Sequence, residues 1–262
     1  MPAPLPASRI PAALERRYGE KLEPPVELRN LDALTTLNER SVCRRYRRDP
    51  VPDEVVRLLC ATALAAPTKS DLQQATIVRV ADPAKRAAIC ALLPGSPWLA
   101  AAPELLIFCA DGWRFRRLFE KKKAAFMNDH LDAFFNATVD AAIVLGTFVT
   151  AAELAGLGTC PISQIRDHAA KIDELLGLPD WVVPVAGLAL GFPSTKEPMS
   201  ARLALSATVH TDRYDAAAVE RELDAYDARR GKDWSGDKVR QYSSVWRADF
   251  GAHVARKRFR LE

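Results

Sequence analysis

Histidine is scarce: four in 262 residues. His130, His168, His210 and His253 stand far from one another and from any cysteine, so neither a zinc site nor a Cys-His nucleophile assembles from sequence spacing. The five cysteines are odd in number and make no C-x-x-C pair. They read as small buried apolar residues of a reducing compartment, not as a disulfide framework. There is no G-x-x-x-x-G-K-[ST] phosphate loop, no G-x-S-x-G elbow and no H-E-x-x-H helix, which removes three large enzyme classes. Gly156-Leu-Gly158 follows a helical pattern and not a strand, so it reads as helix termination instead of a dinucleotide fingerprint. Long apolar runs are missing too. The opening residues hold no core of signal-peptide length, and the runs at 99–110 and 141–152 are shorter than a bilayer span. A cytoplasmic protein without a membrane partner is expected. Charge of one sign is also lacking: the formal net charge is +4. Basic clusters at 44–48, 121–123 and 256–260 read as solvated faces and not as a nucleic-acid surface. No repeat at a solenoid period is visible.

What is present is an ordinary globular composition, 48% hydrophobic and 27% charged, in a chain long enough for one sizeable core. Prolines crowd the first eleven residues and Pro24-Pro25 follows, which predicts an extended lead-in before a short helix ending near Glu39. From Pro52 a helix is expected, with Val55, Leu58, Leu59 and Thr62 on one face. "TIVRV" and "ELLIFCA" read as strands around a helix that Asp82 caps and Pro83 opens. Residues 112–129 are charged and aromatic without a clean period, which suits an insertion or lid. The stretch 134–154 is helical in length and apolar on most faces, so it should be buried all round, inside the fold or against another subunit. "TCPIS" reads as a turn, "RDHAAKIDELLG" as a helix closed by Gly177, and "WVVPVAGLALG" as a buried strand. A loop and an Arg-rich helical tail complete the chain. So many helices with so few strands predict an α+β domain, one sheet packed by helices.

Chemistry gathers at the edges of these elements. "ERSVCRRYRRDPVPDE" places Arg40, Ser41, Arg44 and Arg45 between two helices, and guanidinium forks with a hydroxyl suit a terminal phosphate. "APTKSDLQQ", residues 66–74, is a loop of hydroxyls, amides and charges. Arg202 follows in "MSARL". Carboxylate pairs such as Asp129 and Asp132 are common on helix faces and carry no assignment.

The order R-S-V-x-R-R-Y, D-P-V-P, A-P-x-x-x-x-L-Q, A-A-E-x-x-G-L-G-x-x-P-I, then R-L before V-H-x-x-x-Y, resembles the nitroreductase family of FMN-dependent oxidoreductases. The likeness runs from about Asn38 to Tyr214 and is nearest the larger NADPH-preferring branch. It implies an intertwined homodimer with a central, mostly antiparallel sheet. It also implies an N-terminal arm at 1–36, an FMN-binding domain at 37–213, and a C-terminal helical extension at 214–262 on the same domain or the partner subunit. FMN is the implied cofactor and NAD(P)H the co-substrate. By matching position, Arg40, Ser41, Arg44 and Arg202 take the FMN phosphate, with Arg45 competing for the place of Arg44 because Cys43 is an extra residue. Pro67, Thr68, Lys69 and Asp71 line the ribityl chain and pyrimidine edge, and Pro161, Ile162 and Ser163 lie against the ring. Asp71 stands where an amide is frequent, and Gln164 where glycine is, which implies a narrower access channel. No metal and no acid-base side chain is implied; Lys69 is the candidate for stabilising charge on the flavin. The implied reaction passes hydride from NAD(P)H to flavin N5 and on to a small-molecule acceptor, a nitroaromatic, quinone or flavin, with ping-pong kinetics. Arg229, Arg230 and Lys232 stay outside the site set. A sensor or store of FMN, and a flavin-fragmenting or dehalogenating enzyme of the same fold, are the rival readings.

Overall fold

Strands β1 (Ala75–Arg79), β2 (Glu104–Asp111), β3 (Gly158–Ile162) and β4 (Val182–Gly191) form an antiparallel sheet in the order β1-β2-β4-β3. A computed structural model describes residues 6–25 and 27–262. Helices α1 (Pro6–Tyr18), α2 (Leu31–Asn38), α3 (Asp53–Leu64), α4 (Pro83–Ala91), α5 (Trp113–Lys121) and α6 (Leu131–Leu154) precede β3. α7 (Ala169–Leu176) lies between β3 and β4, and α8 (Leu205–Thr208), α9 (Ala216–Arg230), α10 (Trp234–Tyr242) and α11 (Asp249–Arg256) follow. The chain gathers into two units: one from the segment ending at Ser41 together with Glu197–Trp246, the other from Val42–Lys196 together with Arg247–Glu262.

The sheet belongs to the second unit and is covered on both faces, which is why β2 reads as an unbroken apolar run instead of an alternating one. Leu106 and Phe108 of β2 pack with Leu188 and Leu190 of β4 against Val144, Phe148 and Ala152 of α6 and Val56, Leu59 and Ala63 of α3. The intervening Leu105, Ile107 and Cys109 join Ile89, Leu99, Ile165 and Ile172 on the other face. Phe108 and Phe148 meet edge to face at 5.6 Å, a favoured arrangement of ring quadrupoles. Pro184 sits in a central strand, where a missing N–H would break the ladder. A register shift lets it stand opposite Cys109 while Phe108 pairs with Ala186, and the bypassed Val185 carbonyl accepts from Arg166 Nη1. Arg79 ties β1 to β2 through both carboxylate oxygens of Glu104 at 2.7 Å and reaches Asp53 of α3 at 2.8 Å.

Several expectations hold. β1, β2, α4, α7 and β4 lie where they were expected, with Asp82 accepting from the N–H groups of Ala84 and Lys85 and Gly177 closing α7 at φ 65°. Others need correction. The lead-in is helical from Pro6, with Pro11 inside α1; residues 1–5 lie outside the described residues. On α3 the expected Leu59 is buried and Val55 is half-buried against the core, but Leu58 is 65% exposed and the buried stripe is completed by Val56 and Ala63. "TCPIS" is not a turn: β3 occupies the sheet edge, where Pro161 needs no ladder donor. Gly158 opens that strand because a Cβ there would lie 2.5 Å from Cys43 Sγ, while Cys43 N–H donates to the Thr159 carbonyl. Residues 113–121 form helix α5. Its Arg116 guanidinium is buried against Asp129 and the rings of Phe126, Trp181 and Phe259, each at 5.2 Å. α6 is buried along one side only; Phe135, Ile143 and Leu154 remain exposed. At 24 residues α6 is, by length and composition, long enough to cross a membrane, but its Ala137, Ala141, Val144, Phe148 and Ala152 face belongs to the core.

The C-terminal helix docks on α7 through a buried charge cluster. Asp173 lies 3.0 Å from His253 Nε2 and 3.3 Å from Lys257 Nζ. Burial pushes the Asp173 carboxyl up to about 6, against the opposing pull of Lys257. Burial, with Arg256 and Lys257, lowers His253. A carboxyl whose folded pKa is raised contributes most below its unfolded value and loses that contribution as pH rises through the folded one. Asp173→Asn should therefore gain in melting temperature relative to the parent between pH 4 and pH 7; thermal unfolding at both pH values checks it, and a difference that does not grow with pH would refute it.

Candidate functional site

The polar loop after α3 is held from behind by one carboxylate of α6. Asp140, only 1% exposed, accepts from Thr68 Oγ1, from Lys69 N–H at 3.1 Å and from Gln74 N–H at 3.0 Å. Thr68 in turn accepts from Gln73 N–H at 2.8 Å. Ser70, Asp71 and Gln73 take left-handed backbone angles, φ 51°, 56° and 53°, which cost non-glycine residues roughly 1–3 kcal/mol each unless the surroundings fix them. Three charge-assisted bonds to a buried carboxylate supply that fixing. The loop so held leaves Pro67, Lys69 and Asp71 exposed. Asp71 Oδ1 accepts from Gln73 Nε2 at 3.1 Å, so part of its hydrogen-bonding capacity is used within the loop.

A second constellation surrounds the end of β3. Arg44, Gly95, Ser96, Trp98, Pro161, Ile162, Ser163 and Gln164 line a cleft of about 460 Å³. Arg44 lies over the Trp98 ring at 5.8 Å, and no carboxylate is among the lining residues. The neighbouring Arg45 turns its carbonyl to Ser194 N–H at 3.0 Å. Gln164 Oε1 accepts from Ser96 Oγ at 3.0 Å, and its Nε2 lies 3.8 Å from where a Cβ on Gly95 would be. The glutamine therefore closes one corner of the cleft. Glu153, in the A-A-E motif, accepts from Thr159 Oγ1 at 2.6 Å; it joins the end of α6 to β3.

Arg40, Ser41 and Arg202 belong to the first unit, and the remaining candidates to the second. Arg202 and Arg230 line a cleft of about 460 Å³ with Tyr18, Thr208, Tyr226 and Trp234, again with no carboxylate among its lining residues. Tyr226, 3% exposed, donates to the Ala201 carbonyl at 3.0 Å and accepts from Arg230 Nη1 at 2.9 Å. Arg202 Nη1 is engaged by Ser200 and by the Ala201 carbonyl. In the V-H-x-x-x-Y motif the ring of His210 lies 4.8 Å from that of Tyr214.

A four-stranded antiparallel sheet backed by one long helix, with polar loops at its margins, defines an α+β class, which the relatives of this chain narrow. The chain belongs to the nitroreductase family, which it matches over residues 37–192. It is 31% identical over 226 residues to an FMN reductase [NAD(P)H] of Bacillus subtilis, covering 81% of this chain and 88% of that one. Among solved structures, a hypothetical oxidoreductase from Bacillus subtilis superposes with a TM-score of 0.82 at 28% identity, covering 88% of this chain and 99% of the other. An NADPH:FMN oxidoreductase from Vibrio harveyi, complexed with NAD+, superposes with a TM-score of 0.76 at 26% identity, covering 86% and 97%.

Sequence reasoning missed Asp140, Ser96 and Trp98. An aspartate within an apolar helix was the one available signal, since burial of a carboxylate demands donors. Asp140→Ala would leave the Lys69 and Gln74 amides without their acceptor. Their hydrogen exchange should accelerate roughly tenfold to a hundredfold, the equivalent of about 1.5–3 kcal/mol for a bond to a charged group; unchanged protection at both amides would refute the anchoring role.

Proposed function

We propose that the chain is an FMN-dependent oxidoreductase that takes reducing equivalents from NAD(P)H and delivers them to a nitroaromatic, quinone or flavin. The observation that carries this reading is the loop Pro67–Gln74, whose left-handed path is fixed by Asp140 while Lys69, Ser70, Asp71 and Gln73 stay exposed. A phosphorylated flavin fits the donor chemistry present. The cleft bearing Arg202 and that bearing Arg44 both offer guanidinium groups beside aromatic rings without a lining carboxylate, a setting suited to a dianion and a planar ring. Bound FMN would supply the redox centre, accepting hydride at N5 and returning it to the acceptor.

The protein's own contribution is binding and electrostatics. Arg40, Ser41 and Arg202 hold the phosphate, with Arg44 as the further basic group. Asp71 offers hydrogen-bonding groups to the ribityl chain and pyrimidine edge, beside Pro67 and Thr68, whose hydroxyl is engaged by Asp140 and Gln73. Lys69 places its ammonium where negative charge grows on reduction. A preorganised charge of this kind contributes a few kcal/mol, on the order of ten- to a thousandfold in rate. Pro161, Ile162 and Ser163 give a flat backing, and Gln164 with Ser96 limits the width of what enters. A cleft that holds donor and acceptor in turn gives ping-pong kinetics without an acid-base side chain. The exposed Leu58 and Leu64 of α3 and Phe135, Ile143 and Leu154 of α6 suit burial against a second copy of the chain. A reducing, cytoplasmic setting accords with five cysteines outside any disulfide.

Purified protein should be yellow, and anaerobic addition of NADPH or NADH should bleach the long-wavelength flavin band, with Lys69→Ala slowing that step by roughly ten- to a thousandfold. Yellow protein that neither nucleotide bleaches would instead make it a flavin store. Light scattering on the same preparation should return twice the chain mass; a monomer would refute the second copy.

A further inference from the structure

Helix α1 lies outside the stretch that matches the family, yet its last turn is built into the segments that carry two of the phosphate arginines. Arg17, 5% exposed, turns its guanidinium onto three backbone carbonyls. Nε donates to Asn38 at 2.8 Å, Nη1 to Ser200 at 3.4 Å and Nη2 to Arg40. The Arg17 carbonyl accepts in return from Arg202 N–H at 2.6 Å and from Arg229 Nη1 at 3.2 Å. One residue thus joins the peptide units of Arg40 and Arg202, whose sequence positions lie far apart. Tyr18, next along the helix, lines the cleft that holds Arg202, and Arg9 pairs with Glu39 one residue before Arg40.

From this geometry we infer that Arg17 is a positioning residue for the phosphate end of the site, and that α1 is a working part of that end. The inference rests on the proposed FMN reading. Arg17 acts through backbone: it fixes the two segments before the ligand arrives, so that ordering Arg40 and Arg202 is not charged against binding. The fork geometry matters, because a guanidinium reaches several carbonyls at once and a lysine ammonium, a compact point charge, does not hold the same spread.

The test is flavin affinity with and without the phosphate. Full-length Arg17→Ala and Arg17→Lys proteins, stripped of flavin, are titrated with FMN and with riboflavin, and flavin fluorescence quenching is read. Both variants should bind FMN about ten- to a hundredfold more weakly, by loss of preorganisation of two side chains, while riboflavin affinity stays within about twofold. Equal losses for both flavins would mean a merely structural role and would overturn the inference, as would FMN affinity equal to the parent's. Should Arg17→Ala fail to fold, Arg17→Lys, which keeps the charge, decides by the same ratio. Arg40→Ala and Arg202→Ala run in parallel: if neither changes the preference for FMN over riboflavin, the phosphate assignment itself falls, whatever Arg17 shows.

Discussion

The geometry of the second unit depends on a carboxylate that has no access to water. Asp140 projects from the middle of α6, the helix that backs the sheet, and is 1% exposed. A charge in that place is tolerable only if donors surround it, and the donors come from the polar loop: one hydroxyl and two backbone N–H groups. The dependence runs both ways. Without the loop the helix could not bury this face, and without the carboxylate three left-handed residues would have no reason to stay so. Core packing and the shape of the proposed cofactor loop are therefore one constraint.

The same economy governs the chemistry. The clefts are lined by guanidinium groups, aromatic rings, one proline, the Cys160 thiol and a few hydroxyls and amides, with no lining carboxylate in either. Such a set keeps its guanidinium groups charged at neutral pH, since arginine does not titrate there. It can hold an anion and a planar ring, and stabilise charge that develops on that ring. This matches the division of labour proposed for the chain, in which a bound cofactor carries the reaction.

Local rules were legible where local physics decides. Asp82 with Pro83 and the glycine at 177 announced helix ends that the backbone confirms, and the apolar runs of β2 and β4 announced buried strands. What escaped the sequence was set by distant partners. Pro161 made β3 look like a turn, yet an edge strand leaves a proline unpunished. On α3 the apolar pattern places Leu59 inside but not Leu58 outside, because Val55 and Val56 are equally apolar and only packing against α6 makes Val56 the more deeply buried. Pro11 suggested extended chain, but α1 tolerates it while Ile10, Ala13 and Arg17 give the helix a buried side. Asp140 binds residues 66 to 72 positions away and Arg17 binds carbonyls 21 to 183 positions away, separations no local pattern encodes.

Helix α6 reconciles sequence and structure most directly. Its composition calls for burial all round, whereas the single chain covers one side and leaves Phe135, Ile143 and Leu154 exposed, beside Leu58 and Leu64 on α3. A lipid phase could accept such a surface by length alone, but Asp140 and the core-packed alanines commit the helix to the sheet. At about 25 cal/mol per Å² of apolar surface, large aliphatic and aromatic side chains left in water on two adjoining helices form a patch whose burial is worth several kcal/mol. A second copy of the chain presents the same helices and the same apolar residues, so it can cover this patch by a twofold contact that satisfies both molecules at once. In the single chain α6 is covered on one side only; burial on every side belongs to the proposed dimer.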